Sequence, residues 1–282
     1  ISKKVDFPDN VAIGIIPVYN IGGALNRNSF SRVNQDGPAS YGFRGNAQNL
    51  DLNRDFTKGD SKNSRSFAQI FHFLNPDILV DNHVSDGADY QHTMTLLTTQ
   101  YDKLGKELGS WLKSTFEPAL LKSMNDKNQD MTHYINVEGK DPANGFTMFY
   151  DSPRYSSGYA ALFNTISFIP ETHMLKPVKQ RVEATYQLLI TMMQQASSHA
   201  KELVAERKKA VQNTKEQTEF PLGWKSDTTQ FSMIPFKGYK SGYKKSDVTD
   251  LPVMFYDKEQ PFTKNVKFFD VYRPEKIVTK PT

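Results

Sequence analysis

The sequence has no cysteine among its 282 residues. Disulfide bonds, cysteine-based zinc sites and a cysteine nucleophile are therefore excluded, and any bound metal must be held by histidine and carboxylate side chains. The sequence also lacks an apolar run close to the ~20 residues that a bilayer span needs. Its net charge is only +4, and lysine and arginine are spread along the chain, so nucleic acid is not indicated as a partner.

What the sequence does contain is enough apolar material for one sizeable core, since 38% of its residues are hydrophobic. Short runs rich in β-branched residues predict buried strands at residues 11–19, 77–83, 93–99 and 166–169. Apolar residues at helical spacing predict helices at residues 64–74, with Asn63 or Ser64 as cap, and at 104–124 and 178–211. A polar stretch over residues 20–53 predicts a long functional loop.

The alternation of strands and helices predicts an α/β domain with a central mixed, largely parallel sheet flanked by helices. After about residue 220, short runs of Tyr, Phe and Val alternate with Gly, Pro and Asp, which predicts a β-rich C-terminal extension. We therefore predict a catalytic domain over residues 1–215 and a β-rich accessory segment over 216–282. Catalytic groups on α/β folds lie at strand ends and in the loops that follow them.

Three polar clusters lie at such places, and each has two interpretations. Asn53 and Arg54 beside Asp51 suit bidentate binding of a carboxylate, or form a local turn with a surface salt bridge. His83 lies at the end of a predicted strand. It is interpreted as a metal ligand, a catalytic base or a hydrogen-bonded structural residue. Glu171 follows another predicted strand. It is interpreted as a general base or as an ordinary surface or helix-capping residue.

Taken together and in this order, the three clusters resemble the zinc carboxypeptidases, the carboxypeptidase A-like metallopeptidases. The resemblance covers residues 11–174 and is strongest at residues 50–56, Leu-Asp-Leu-Asn-Arg-Asp-Phe. It implies an α/β fold with a central mixed sheet. It also implies one Zn²⁺ held by the His and Glu of a His-x-x-Glu motif and by a later His.

The resemblance assigns roles residue by residue. His83 is similar to the third zinc ligand, and Asn53 and Arg54 to the pair that binds the free C-terminal carboxylate of a peptide substrate. Arg32 is similar to the arginine that polarises the scissile carbonyl, and Asp51 to a carboxylate that orients a zinc-bound His.

The resemblance also implies a carboxylate base and a mobile tyrosine upstream of it. Glu171 is similar to the general base that activates the zinc-bound water. Tyr155 is the first choice for the tyrosine, with Tyr150 and Tyr159 as alternatives.

The first zinc motif of the family is expected before residue 11, where residues 1–10 contain no histidine. We interpret this as an N-terminal truncation and expect this chain to bind zinc weakly or not at all and to be inactive alone. A His-x-x-Glu sequence does occur at His199 and Glu202, but it follows the expected base and is predicted to be a chance occurrence on a solvated helix. The remaining histidines are predicted to be structural or surface residues, and they are His72, His92, His133 and His173.

The resemblance implies zinc-dependent hydrolysis of C-terminal peptide bonds, on cell-wall or dietary peptides. Two alternatives stay open. One is an N-acyl amino acid amidase of the same fold, and the other is a non-catalytic pseudoenzyme that binds peptides or carboxylates. Family habit implies an extracytoplasmic location, periplasmic or secreted.

Overall fold

The computed structural model describes residues 6–32, 34–137 and 141–280. Its main sheet is built from β1 (Ile78–Val80), β2 (His83–Ser85), β3 (Met94–Thr98), β4 (Thr132–His133) and β6 (Ile166–His173), while β5 (Phe146–Thr147) belongs to another sheet. β1 and β2 lie one after the other along one edge of β6, and both are parallel to it. β3 pairs with the other edge of β6 in antiparallel fashion, and β4 runs parallel to β3. The sheet is thus mixed, as predicted.

The helices are α1 (Ile21–Leu25), α2 (Lys62–Leu74), α3 (Lys106–Trp111), α4 (Glu117–Asp126), α5 (Ser156–Ala161), α6 (Val178–Ser198) and α7 (Ala200–Glu216). α5 and α6 both pack against β6. No helix among the described residues is both long and apolar enough to cross a bilayer.

The helix predicted for residues 104–124 is confirmed, although it has two parts. α3 continues into α4 through one wider turn, Leu112–Phe116. Its apolar stripe is fully buried and consists of Leu108, Leu112, Phe116, Leu120 and Met124, while Leu104, also buried, ends a separate 3-10 turn before the helix. By contrast, the single helix predicted over residues 178–211 is wrong, because α6 ends at Ser198 and α7 begins at Ala200. The break is at His199, whose Nδ1 contacts the carbonyl oxygen of Gln195 at 3.0 Å and whose ring packs on Trp111.

α2 begins at Lys62, and its cap is Ser61, which lies two residues before Asn63 and three before Ser64, the two predicted caps. The Ser61 hydroxyl oxygen accepts a hydrogen bond from the backbone N–H of Ser64 at 3.0 Å. Asp55 reinforces this turn by accepting hydrogen bonds from the backbone N–H groups of Asp60 and Ser61 and from the hydroxyl of Ser64. α2 ends at Leu74. The next residue, Asn75, caps it and has the left-handed φ of +43° typical of helix C-termini.

The strand predicted at residues 11–19 is wrong. The segment has no regular secondary structure and joins no sheet of the described structure, and Ile15 is 75% exposed. It runs along α2 instead. A Cβ atom on Gly14 would lie 2.7 Å from Leu74 Cδ1, and the Asn63 amide donates to the carbonyl oxygen of Tyr19 at 2.8 Å. The segment therefore has a helix surface as its neighbour, which offers no ladder of backbone hydrogen bonds.

The C-terminal region is β-rich, as predicted. Its strands are β7 (Glu219–Ser226), β8 (Ser232–Lys245), β9 (Pro252–Phe269) and β10 (Tyr272–Thr279). β7 pairs with β10 and β8 with β9, both antiparallel, while β5 runs parallel to β9. Phe236 and Phe268 of this region belong to the same buried cluster as Leu96 and Phe168 of the main sheet. A shared core does not test the predicted boundary at residue 215/216, which stays a prediction.

Candidate active site at the centre of the main sheet

Glu171 lies on the most central strand of the main sheet. All eight residues of β6 are buried, which fixes its position between its neighbours. Glu171 is directly opposite His83 on β2 and opposite Thr95 on β3. Side chains at paired positions point to the same face of a sheet, and the His83 Nδ1 atom lies 3.3 Å from Glu171 Oε1. The pairing of strands thus brings together two candidates that are far apart in sequence.

The other ring nitrogen of His83 faces a second carboxylate. Nε2 lies 3.1 Å from Asp81 Oδ2, which also accepts a hydrogen bond from the Ser156 hydroxyl at 2.6 Å. Burial by itself would lower the pKa of His83, but the hydrogen bonds to Asp81 and Glu171 outweigh it and raise the pKa to about 10. His83 is therefore a cation at neutral pH, held between two carboxylates.

The zinc site implied by the resemblance can be tested against this geometry. A histidine oriented by a carboxylate, as Asp81 orients His83, is typical of metal ligands. A catalytic zinc ion, however, takes three protein ligands, and residues 6–32, 34–137 and 141–280 contain no group of three or more His, Cys, Asp or Glu arranged to hold a metal. Both ring nitrogens of His83 already face carboxylates. The described residues therefore do not fit a zinc ion on their own.

The Asp51–Arg54 cluster forms a tight turn that separates its charged groups. Asp51 Oδ1 accepts from the backbone N–H of Asn53 at 3.0 Å, and Asp51 Oδ2 accepts from the Arg44 guanidinium at 2.9 Å. The surface salt bridge is thus made by Arg44 and leaves Arg54 out. The Arg54 guanidinium lies over the ring of Tyr155, 4.6 Å from its centroid, and forms no ion pair with any described residue. Asn53 Oδ1 is buried and has no hydrogen-bond partner among the described residues.

These contacts separate the three candidate tyrosines. Tyr155 adjoins the site, because it holds Arg54 and directly precedes Ser156, which binds Asp81. Tyr150 stacks instead on Tyr272 of the C-terminal strands. The Tyr159 hydroxyl lies 3.0 Å from His72 Nε2, and the Tyr159 ring packs against Phe67 and Phe71 of α2. Of the three, only Tyr155 adjoins the other candidates.

Arg32 stands apart from this group. Its loop is tied to the end of β6, because the backbone N–H of Asp36 donates to the carbonyl oxygen of Met174 at 2.8 Å. Arg181 holds the same loop by donating to the carbonyl oxygens of Asp36 and Gly37. The Arg32 side chain forms no hydrogen bond or ion pair within the described structure. Its role therefore stays a prediction.

Tyr134 lies near the candidate site, and the sequence did not indicate it. It follows β4, and its backbone N–H donates to the carbonyl oxygen of Leu96 at 2.9 Å. Its ring packs edge-on against Phe149, which in turn packs against Tyr155. Burial raises the pKa of Tyr134 to about 12, helped by the negative charge of Glu171 and opposed by Arg54. The charges of Glu171 and Arg54 therefore act on the pKa of Tyr134 in opposite directions.

The other histidines have structural contacts. The His173 Nε2 atom lies 2.8 Å from the carbonyl oxygen of Ala88, and burial lowers the pKa of His173. His92 Nδ1 lies 3.3 Å from Asp130 Oδ2, and His133 stacks on Phe268. Glu202 accepts a hydrogen bond from the Trp111 indole at 3.0 Å. Both residues of the His199 motif therefore contact Trp111.

No protein-family model matches the chain, and no curated protein matches its sequence. Several solved structures are similar to it, and two of them are described here. A metallo-carboxypeptidase from Burkholderia cenocepacia has a TM-score of 0.43 and 13% identity, over 56% of this chain and 42% of its own. A metallo-carboxypeptidase from Pseudomonas aeruginosa, solved with (2-guanidinoethylmercapto)succinic acid, has a TM-score of 0.42 and 12% identity, over 57% and 42%.

Both of these neighbours are metallo-carboxypeptidases, the family that the sequence motifs resemble. The chain spans 42% of the length of each. At such TM-scores the likeness has no bearing on individual residues, so the chemistry of the site rests on its own contacts.

Proposed function

We propose that this chain supplies the substrate-binding and general-base part of a metallocarboxypeptidase, a hydrolase that releases C-terminal residues from peptides. The observation that carries the proposal is the series of contacts that links Arg54 to Glu171. Arg54 is a cation with no ion pair in the described structure, and its guanidinium lies over the Tyr155 ring and donates one hydrogen bond to the carbonyl oxygen of Asn53. Tyr155 is joined through Ser156 and Asp81 to the His83–Glu171 pair.

Each of these residues can act on a peptide that ends in a free carboxylate. The planar guanidinium of Arg54 suits bidentate binding of that carboxylate, with the Asn53 amide beside it. Binding there fixes which peptide bond lies near Glu171. Glu171 can then accept a proton from the attacking water, and Arg32 can offset the negative charge that develops on the scissile carbonyl. A phenol such as that of Tyr155 can donate a hydrogen bond to the same substrate.

The zinc ion of this proposal would act as a Lewis acid for the water and the carbonyl. It would need ligands beyond those that the described residues bring together, with His83 as one of the set. For that reason the first test measures binding rather than turnover.

We expect this chain to bind a free-acid peptide about tenfold more tightly than the same peptide with a C-terminal amide, because only the acid forms a charged pair with Arg54. Isothermal titration calorimetry with matched acid and amide tripeptides measures the difference. Arg54→Gln should abolish it, and Arg54→Lys should restore only part, since lysine has no planar fork.

The matched control for this experiment is Arg273→Gln. Arg273 lies on a C-terminal strand and pairs with Asp227, so the preference for the acid should persist. Equal affinity of the intact chain for acid and amide would contradict the proposal.

The alternatives share this carboxylate contact. An N-acyl amino acid also ends in a free carboxylate, so the amidase would be separated by a panel of N-acyl amino acids and peptides measured with a chain that contains the full metal site. The non-catalytic alternative is favoured by one observation, that the described residues lack a complete set of metal ligands. Titration with Zn²⁺, followed by elemental analysis, tests it, since a bound ion lost in His83→Ala would contradict the non-catalytic reading.

A further inference from the structure

His173, the last residue of β6, is fully buried and uses both of its ring nitrogens. Its Nε2 atom lies 2.8 Å from the carbonyl oxygen of Ala88, and its Nδ1 atom accepts a hydrogen bond from the backbone N–H of Leu175 at 3.2 Å. Because a carbonyl oxygen can only accept and a backbone N–H can only donate, the ring proton is on Nε2. The arrangement therefore requires a neutral imidazole, since a second proton on Nδ1 would face the N–H of Leu175.

Charged groups from three segments face this ring. Asp89, in the loop after β2, lies 3.0 Å from the ammonium group of Lys176, which follows β6, and 3.3 Å from that of Lys258 on β9. The Tyr90 ring packs edge-on against the imidazole, with centroids 4.8 Å apart. Burial, opposed by Asp89 and helped by the two lysines, lowers the pKa of His173 below its ordinary value. The fold therefore keeps this ring neutral at pH 7.

The segment that follows His173 joins two loops of the candidate site. The backbone N–H of Met174 donates to the carbonyl oxygen of Ser85, at the end of β2, at 3.0 Å. The carbonyl oxygen of Met174 accepts from the backbone N–H of Asp36 at 2.8 Å, in the loop that contains Arg32. A displacement of this segment would thus break contacts to both loops.

We propose that His173 is a pH-sensitive clamp, whose neutral ring holds the loop after β2 and the segment after β6 together and whose protonation in acid loosens both. A protonated ring would lose the hydrogen bond from Leu175. It would also place a third cation beside Lys176 and Lys258, with Asp89 as the carboxylate between them. On β6 itself, Glu171 lies two residues earlier, and its carboxylate faces His83. The proposal rests on the proposed function only in treating the two loops as parts of a substrate-binding site.

The direction of the pH effect follows from the lowered pKa of His173. In the loosened state water reaches the ring, whose pKa is then close to its ordinary value of about 6.5, so that state binds a proton more tightly than the clamped state does. The contribution of His173 to the clamped state is therefore fully present above about pH 6.5. It declines as the pH falls below that value, until the ring of the clamped state is protonated as well.

The test measures hydrogen exchange of single backbone amides in the intact chain by NMR between pH 7.5 and pH 5.5, corrected for the intrinsic exchange rate at each pH. The protection factors of Asp36, Met174 and Leu175 should fall about fivefold over this range. In the same samples the His173 ring should be neutral with its proton on Nε2 at pH 7.5 and should titrate with a midpoint below 6.5. A ring already protonated at pH 7.5, or protection factors that do not change, would overturn the proposal.

His173→Gln removes the titrating group and keeps an amide that can donate to the carbonyl oxygen of Ala88. Its protection factors should not depend on pH over this range. The matched controls are His72→Gln, at an exposed position on α2, and His92→Gln, across the Tyr90 ring at a centroid distance of 6.3 Å, and both should keep the fivefold fall. Loss of the pH dependence in His92→Gln would overturn the assignment to His173. If His173→Gln does not fold, the ring titration and the exchange of the intact chain still decide the proposal.

The exchange experiment needs no peptide, which keeps it separate from the test of the proposed function. Protection that falls in acid, in a chain that does not prefer the free-acid peptide, would leave the clamp standing and remove the carboxylate role of Arg54. A preference for the acid in a chain whose protection factors do not respond to pH would do the reverse.

Discussion

Residues 11–19 and strand β6 were both predicted as buried strands from apolar runs, but they have opposite environments. Every residue of β6 is buried, because the strand has neighbours on both edges and helices against it. In residues 11–19, Ile15 and Val18 are 75% and 47% exposed, and no strand of the described structure pairs with the segment. Apolar composition therefore shows that a segment is suited to burial, while the neighbouring elements decide whether it is buried.

The largest expected difference between the two regions is in stability. Phe168 on β6 is fully buried and stacks on Phe116, with ring centroids 5.8 Å apart. We expect Phe168→Ala to lower the free energy of unfolding by about 3–5 kcal/mol, because it removes buried contacts and leaves a cavity. Denaturation in urea, followed by circular dichroism, measures the change.

The matched variant in the other region is Ile15→Ala. Because Ile15 is 75% exposed, its truncation should change the free energy of unfolding by less than about 0.5 kcal/mol. A loss close to that of Phe168→Ala would show that residues 11–19 are buried in solution and would break the comparison.

A smaller effect is expected at the start of α2, the helix on which residues 11–19 lie. Burial by itself would raise the pKa of Asp55, but hydrogen bonds from Ser61, Ser64 and Asp60 outweigh it and lower the pKa to about 2. A carboxylate whose pKa is lower in the folded state contributes stability above its unfolded pKa, near 3.8, and loses it as the pH falls through about 2. The contribution at neutral pH is about 2 kcal/mol.

Asp55→Asn should therefore destabilise the protein by about 2 kcal/mol at pH 7, and the difference from the unmodified chain should shrink between pH 4 and pH 2. Urea denaturation at each pH measures it. A difference that stays constant over this range would mean that the hydrogen bonds of Asp55 depend little on its charge.

The smallest expected effect concerns the point where residues 11–19 meet the core. The Tyr19 ring is half-buried and lies 5.8 Å from that of Phe56 and 5.9 Å from that of Phe67. Tyr19→Ala should cost about 1.5 kcal/mol through the loss of these aromatic contacts. It should also make residues 11–19 easier to cleave with a protease, since the segment loses an anchor.

Tyr19→Phe is the control, because the buried Tyr19 hydroxyl has no hydrogen-bond partner in the described structure. Its removal should leave stability unchanged or slightly higher. If Tyr19→Phe were as unstable as Tyr19→Ala, the hydroxyl rather than the ring would be the anchor.

Several elements were predictable because their signals are local. The buried stripe from Leu108 to Met124 follows from helical spacing, and β3 follows from a run of apolar and β-branched residues. The β-rich C-terminal region followed from its short aromatic runs and turn residues. Other local signals misled, since no sequence rule placed the break between α6 and α7 at His199.

The candidate site was predictable in part. His83 and Glu171 were singled out because each was expected at a strand end, and strand pairing does bring them together. Tyr134 had no such signal, because β4 has only two residues and its position depends on pairing with β3. The choice among the tyrosines depended likewise on which of them contacts Arg54.

The sequence by itself determined the kinds of group available to the site: no thiol, the imidazole of His83, the carboxylate of Glu171, and the pair Asn53 and Arg54 on a loop. It also determined most helices and strands, since propensity and periodicity act over a few residues. Only the tertiary structure decided that Arg44 rather than Arg54 pairs with Asp51, and that residues 12–18 are exposed. These outcomes depend on contacts between distant parts of the chain, and such contacts are set by the packing of whole elements.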